Sequence, residues 1–194
     1  LITSEVCVHH LWFSDEDYAR LGTRIKMNPA VKTRGDRDAL RHGLRDGRLD
    51  IVATDHAPHL LTEKEGNAIT AASGAPMVRY SLPVMLELAD MGVFSRELVV
   101  EKMCHAPARL YNIDRRGYLR SGYYADLVVV RPDDPYTVTD ASASARCGWT
   151  PLAGTTLHNR VVRTYVNGHL VCSDGVVDTS VRGRELHYLP RNRG

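Results

Sequence analysis

The stretch Arg48-Leu-Asp-Ile-Val-Ala-Thr-Asp-His-Ala-Pro-His59 decides how the fold of this chain is interpreted. Its almost continuous apolar run from Leu49 to Ala53 predicts a short parallel strand that is covered on both faces. Asp55, His56 and His59 follow at the carboxyl end of that strand, where parallel α/β barrels carry their catalytic groups. A carboxylate at this place can bind a metal ion or move a proton.

A plainer interpretation of the aspartate is also open. An isolated aspartate after a strand more often caps a helix or a turn. The two histidines and the proline within the next four residues favour a functional role for Asp55. One such cluster does not exclude the capping role by itself.

Composition sets the class of protein. Of the 194 residues, 43% are hydrophobic and 25% charged, which is typical of a soluble globular domain. The net charge of +2 gives no electrostatic case for binding nucleic acid or an anionic membrane. No apolar stretch has the 18 or more residues of a membrane span. The first residues lack the pattern of a signal peptide and an initiator methionine, which predicts a fragment of a longer chain.

The four cysteines are scattered, without the Cys-x-x-Cys spacing of a zinc ribbon or a redox pair. Sparse cysteines of this kind are typical of free thiols in a reducing compartment. The sequence therefore predicts a cytoplasmic protein.

The first part of the chain has the rhythm of a (β/α) barrel. We expect a strand over residues 1–8, a short helix capped by Ser14, a helix over 36–46 and the buried strand over 48–54. The adjacent residues His9 and His10 point in different directions on either element, so we expect them to have a structural or loop role. Residues 60–76 form a long loop, which in a compact domain is usually functional or disordered.

Asn28 lies between these elements, directly before Pro29, and the residue before a proline is usually extended. Its amide can donate and accept, which suits an amide or imide substrate. A simple turn residue is the alternative.

The rest of the chain is predicted as helices followed by β structure. Helices are expected over 82–91, after Ser95, and over 107–110. A strand is predicted over 125–130, and Asn167-Gly168 predicts a hairpin between strands 161–166 and 169–172. The arginine-rich residues from 182 onward are expected to form a solvated tail or a contact arm. We therefore predict two regions, with residues 1–112 in the barrel and 113–194 in a small β domain.

Several of these segments together resemble one family. Thr54-Asp-His-Ala-Pro-His59 closely resembles the metal-binding signature of the dihydroorotases, in the amidohydrolase superfamily. Similar segments run along the chain in the family's order: Ile2–Leu11, Lys26-Met-Asn-Pro-Ala-Val31, His105-Ala-Pro-Ala-Arg-Leu110, Tyr124–Val130 and Val166-Asn-Gly168.

The resemblance implies the C-terminal part of a (β/α)8 TIM-type barrel, followed by a small β-sandwich-like domain. It implies that Asp55 binds one zinc ion and shuttles a proton, and that Asn28 and His59 contact the substrate. It also implies that the backbone of Gly74, Ala75 and Pro76 bonds the dihydropyrimidine ring. Met77 and Arg79 depart from the family, because many members have Gly and Glu there.

The implied reaction is the reversible, zinc-dependent conversion of dihydroorotate to N-carbamoyl-L-aspartate in pyrimidine biosynthesis. One or two zinc ions are expected, and the family's other metal ligands would precede residue 1. We therefore expect the 194 residues alone to be incomplete and inactive. A homodimer is left open as the assembly.

Two other functions compete with this one. Dihydropyrimidinases and allantoinases resemble the chain around the aspartate, but they typically lack the histidine four residues later, so His59 argues against them. A non-catalytic, dihydroorotase-like scaffold subunit would be expected to lose the site residues. The joint presence of Asp55, His59 and Asn28 argues against that function.

Overall fold

The computed structural model describes residues 2–190, which form a mixed α/β fold with three small sheets. The strands are β1 (Glu5–Cys7), β2 (Ile51–Ala53), β3 (Leu127–Arg131), β4 (Tyr136–Thr137), β5 (Thr156–Leu157), β6 (Arg160–Val166), β7 (His169–Ser173) and β8 (Val176–Val177). The α-helices are α1 (Val8–Trp12), α2 (Tyr18–Leu21), α3 (Arg34–Arg45), α4 (Ser81–Asp90), α5 (Arg96–Val100) and α6 (Ala106–Leu110). None of these described helices is long and apolar enough to cross a membrane.

Strands β1 and β2 pair in parallel, and Cys7 lies opposite Ala53 at their carboxyl ends. Both strands are shorter than predicted. The carboxylate of Asp50 accepts the Ser4 N–H at 2.7 Å and so takes the place of a ladder bond before β2. After β1 the chain turns at once into α1, which places His9 and His10 on a helix rather than in a loop.

Helix α3 begins two residues earlier than the apolar pattern predicts, because Thr33 caps it. The Thr33 hydroxyl accepts the Asp36 N–H at 3.2 Å, and the Asp36 carboxylate accepts the Thr33 N–H at 3.1 Å. This reciprocal pair satisfies two free N–H groups of the first turn. The helix leads back to β2, so β1, α3 and β2 follow in the order expected of a parallel barrel unit.

Helix α4 matches its prediction to within one residue at each end. Helices α5 and α6 were predicted as separate helices, and this was wrong. The wider π-turn Glu101–His105 joins them into one continuous helical stretch. Pro107 lies just after that turn, and a π-turn accommodates the backbone bond that a proline cannot donate.

Strands β3, β6, β7 and β8 form one antiparallel sheet in that order. The predicted hairpin is confirmed: Asn167 and Gly168 have φ angles of 52° and 82° between β6 and β7. Two successive positive φ angles are the requirement of a type I′ turn. A second sheet packed face to face, as a β-sandwich requires, is not confirmed.

The predicted tail lies along the chain after α6. The Asp114 N–H donates to the His187 carbonyl at 2.8 Å, and the Leu189 N–H donates to the Asn112 carbonyl at 2.8 Å. This part of the predicted tail is therefore held by backbone hydrogen bonds, although its side chains are mostly exposed. The last arginines of the predicted tail, Arg191 and Arg193, lie outside the described residues.

One hydrophobic core spans the predicted boundary at residue 112. Val138, Trp149, Leu152 and Leu157 are fully buried and belong to the same cluster as the side chains of α1 and α4. The segment 136–157 therefore packs with the first part of the chain, while the four-stranded sheet lies beyond it.

Candidate active site

Asp55 follows the end of β2 and is the first residue of the site. Its φ angle is +42°, in the left-handed region that aspartate tolerates better than most residues. The side chain is exposed, and its carboxylate makes no hydrogen bond or ion pair to the residues that the structure describes. An ionised carboxylate only accepts, so this group is free to take a metal ion or a proton.

His56 holds the loop over residues 75–78 next to the end of β2. Its Nδ1 accepts the N–H groups of Met77 and Val78 at 3.1 and 3.2 Å, and His56 forms a parallel bridge with Ala75. Sequence analysis gave His56 no separate role. Met77, which departs from the family, is fully buried, so an apolar side chain fits this position.

Gly74 is packed directly against the residues after Asp55. Its φ angle is +127°, and a Cβ atom there would lie 2.5 Å from the Ala57 Cβ and 3.4 Å from the His59 Cδ2. The Ala57 N–H donates to the Ala75 carbonyl at 3.2 Å. The structure therefore brings His59 together with Gly74, Ala75 and Pro76, and the last three are buried.

His59 is held through its backbone. Its carbonyl accepts the indole N–H of Trp149 at 2.7 Å, and its Nδ1 lies 3.6 Å from the Glu63 carboxylate. Trp149 is fully buried, with the Arg24 guanidinium 5.3 Å and the Lys64 amine 5.9 Å from its ring centroid. The sequence did not predict a role for Trp149, although a tryptophan in the loop Gly148-Trp-Thr-Pro151 is a candidate for a side chain that holds a loop in place.

Lys64 is a second residue that sequence analysis missed. Its side chain is 2% exposed, and its amine donates to three backbone carbonyls, those of Lys26, Ala72 and Gly74, at 3.1, 2.7 and 2.8 Å. Burial, with the positive charge of Lys26, lowers the pKa of Lys64 from 10.5 to about 8. The amine ties the segment that carries Asn28 to the segment Gly74, Ala75 and Pro76, so the loop over 60–76 is held by contacts from within.

Asn28 lies beside this network. Its side chain is exposed, and the Gly74 N–H donates to the carbonyl of Lys26 at 2.9 Å, two residues before it. A cleft of about 580 Å³ opens here. Its lining includes Asn28, Met27 and Ser73 but neither Asp55 nor His59, so it adjoins the other site residues without containing them.

The arrangement can do three things chemically. Asp55 offers a free carboxylate, His59 and Asn28 offer hydrogen-bond donors, and the segment Gly74, Ala75 and Pro76 offers a rigid backbone edge.

A family model, described as Amidohydrolase family, matches residues 2–171. The chain belongs to the amidohydrolase family.

Relatives with curated names include dihydroorotases. The dihydroorotase of Halobacterium salinarum is 41% identical over 152 residues, which are 78% of this chain and 36% of that protein. The dihydroorotase of Syntrophus aciditrophicus is 37% identical over 170 residues, or 88% of this chain and 40% of that protein. This amidohydrolase chain thus spans about two fifths of the length of its relatives.

Solved structures with the same fold include hydantoinases. The L-hydantoinase (dihydropyrimidinase) of Arthrobacter aurescens has a TM-score of 0.87 at 28% identity, covering 91% of this chain and 40% of that one. A D-hydantoinase has a TM-score of 0.82 at 21% identity, covering 90% and 40%. The second likeness concerns the fold alone.

Proposed function

We propose that this chain supplies part of the active site of a dihydroorotase, which interconverts dihydroorotate and N-carbamoyl-L-aspartate in pyrimidine biosynthesis. One observation carries the proposal: the unpaired Asp55 carboxylate at the carboxyl end of a parallel strand, with His59 and the Gly74 segment packed together directly after it. The dihydroorotase relatives support it.

The residues present fit a metal ion through one ligand. Asp55 is exposed, and no described side chain neutralises or caps it, so its oxygens suit a cation. We propose zinc, in one or two copies, with the other ligands outside this chain. Zinc, when bound, polarises the carbonyl of the scissile amide.

The chain's own residues then handle the proton and the substrate. Asp55 takes a proton from the attacking water as the water oxygen bonds to the ring carbonyl carbon, and it delivers that proton to the ring nitrogen as the C–N bond breaks. His59 and Asn28 hold the substrate carboxylate and ring edge. The Gly74 N–H is already donated to Lys26, so we expect the ring N–H to donate to a carbonyl of the segment Gly74, Ala75 and Pro76.

The test replaces Asp55 in the whole enzyme. Asp55→Asn keeps the side-chain shape and tolerates a positive φ, but it cannot take the proton, so we expect dihydroorotate hydrolysis to fall by roughly 10²–10⁴-fold. Asp133→Asn is the matched control, since Asp133 is an exposed aspartate with a φ of +53° in a remote turn. Near-normal turnover in Asp55→Asn, with native circular dichroism, would refute the proposal.

A hydantoinase or dihydropyrimidinase is the second candidate, because the L-hydantoinase of Arthrobacter aurescens shares the fold at 28% identity. Hydrolysis of dihydrouracil or hydantoin in preference to dihydroorotate would favour it. Allantoinase activity is tested in the same assay with allantoin. Failure to turn over any of the four would favour the scaffold subunit.

We propose three further properties together with this function: the domain organisation, the location and the assembly. We propose that residues 1–112 contribute the last strands of a (β/α)8 barrel and 113–194 a small β-sandwich-like domain. All four cysteines are free, which supports a reducing, cytoplasmic location. A homodimer is the assembly we would test first, by light scattering of the whole protein.

A further inference from the structure

Three potential metal ligands meet where β1 turns into α1. One ligand atom each of Cys7, His9 and His10 can be chosen so that all lie within 4.8 Å of one another. The adjacent histidines were expected to point apart, but the tight turn into α1 brings their ring centroids to 4.2 Å. A cation would need the donor atoms to close in by only about 1 Å.

His9 lacks the partners that a buried imidazole needs. The side chain is fully buried, and neither ring nitrogen has a hydrogen-bond partner among residues 2–190. Burial, with the adjacent His10, lowers the pKa of His9 to about 3. With no described partner on either ring nitrogen, the neutral ring has a free lone pair, as metal ligation requires.

The other two residues complete a ligand set. His10 Nε2 lies 2.9 Å from the Pro29 carbonyl, which only accepts, so Nε2 carries the proton and Nδ1 keeps its lone pair. A carbonyl bound to the second ring nitrogen is the usual support of a metal-ligating histidine. Cys7 is half-buried, and burial, with the negative charges of Asp55 and Glu5, raises the pKa of its thiol from 9.0 to about 11, so the thiol keeps its proton until a cation displaces it.

We propose that Cys7, His9 and His10 form a site for one thiophilic divalent cation, of the class of Zn²⁺, Co²⁺ or Cd²⁺. One sulfur and two imidazole nitrogens are the donors that this class prefers, and a fourth position is left for water. Binding replaces the thiol proton: the S–H bond breaks, the proton leaves to solvent, and a sulfur–metal bond forms. Asp55 is not a member of this ligand set, and the inference is independent of the proposed function.

The test is a Co²⁺ titration of the whole protein, followed by near-ultraviolet absorption. Only a thiolate ligand gives a sulfur-to-cobalt charge-transfer band, so cobalt bound through Asp55 does not interfere. We expect one thiolate-bound Co²⁺ per chain. Cys7→Ser should abolish the band, and His9→Asn should weaken the affinity at least roughly tenfold, as loss of a supporting group already does.

Cys104→Ser is the matched control, because Cys104 is exposed and lies on the π-turn Glu101–His105, outside the proposed ligand set. It should leave the band and the affinity unchanged, and circular dichroism without metal should be the same for all variants. Absence of a thiolate band, or a band that survives Cys7→Ser, overturns the proposal.

Discussion

At the scale of single residues, the sequence reveals the polar groups that end a strand but not those that hold them. Asp55 and His59 stand out because they follow an apolar run. Lys64 does not, because a lysine in a loop rich in charge looks solvated. Its burial depends on the carbonyls of Ala72 and Gly74 in its own loop and on that of Lys26, which lies far away in the sequence.

Lys64→Met tests this role. The variant removes the Lys64 donor from three backbone carbonyls, of which that of Lys26 keeps the Gly74 N–H, so we expect the free energy of unfolding to fall by on the order of 3 kcal/mol. Under the proposed function, the KM of the whole enzyme for dihydroorotate should rise roughly tenfold, because the Gly74 segment loses its anchor. Lys102→Met is the control: Lys102 is also buried, but among residues 2–190 its amine donates to one carbonyl, that of Leu49. A KM that changes equally in both variants would contradict the role.

At the scale of elements, the predicted types were mostly right and the bounds were set by polar contacts. The cap at Thr33 makes α3 begin at Arg34, two residues before the predicted start. The Asp50 carboxylate bonds the Ser4 N–H, and β2 begins only at Ile51. The joining of α5 and α6 was missed because a proline after a helix usually marks a new one. Apolar periodicity carries no information about the π-turn, which lets the helix continue up to this proline.

The segment of Gly74, Ala75 and Pro76 gives a test at this scale. Gly122→Ala should cost about 1 kcal/mol of stability, since Gly122 has a φ of +82° but open space around it. Gly74→Ala should cost more, on the order of 3 kcal/mol, because its Cβ would also overlap Ala57. If chemical unfolding gives the same loss of stability for Gly74→Ala and Gly122→Ala, the contact between Gly74 and Ala57 does not contribute.

At the scale of the whole molecule, one core joins regions that the sequence suggests are separate. The change to β-rich composition after Asn112 predicts a boundary there. Trp149 and Leu157 nevertheless pack with the helices of the first part, and Arg24 pairs with Asp140 at 2.6 Å. Composition reports the type of an element, whereas packing between distant segments depends on their final positions.

The lowered pKa of Lys64 makes the free energy of unfolding depend on pH. Lys64 has a pKa of about 8 in the folded protein, below its usual 10.5. Between these values the unfolded chain binds more protons, so stability rises with pH through that window. We expect the wild type to gain stability over Lys64→Met from pH 8 to 10.5 in urea unfolding. Parallel pH profiles would contradict the lowered pKa.

The setting of Trp149 gives the protein an optical reporter. Its indole N–H is bonded to the His59 carbonyl, and two cationic side chains lie near its ring. The emission of an indole follows the local electric field, so any shift of His59 on substrate binding changes the fluorescence. Trp12 is the other tryptophan of the chain. In a Trp12→Phe variant, Trp149 is the one tryptophan left among these 194 residues, so their tryptophan emission reports a shift of His59 without a label.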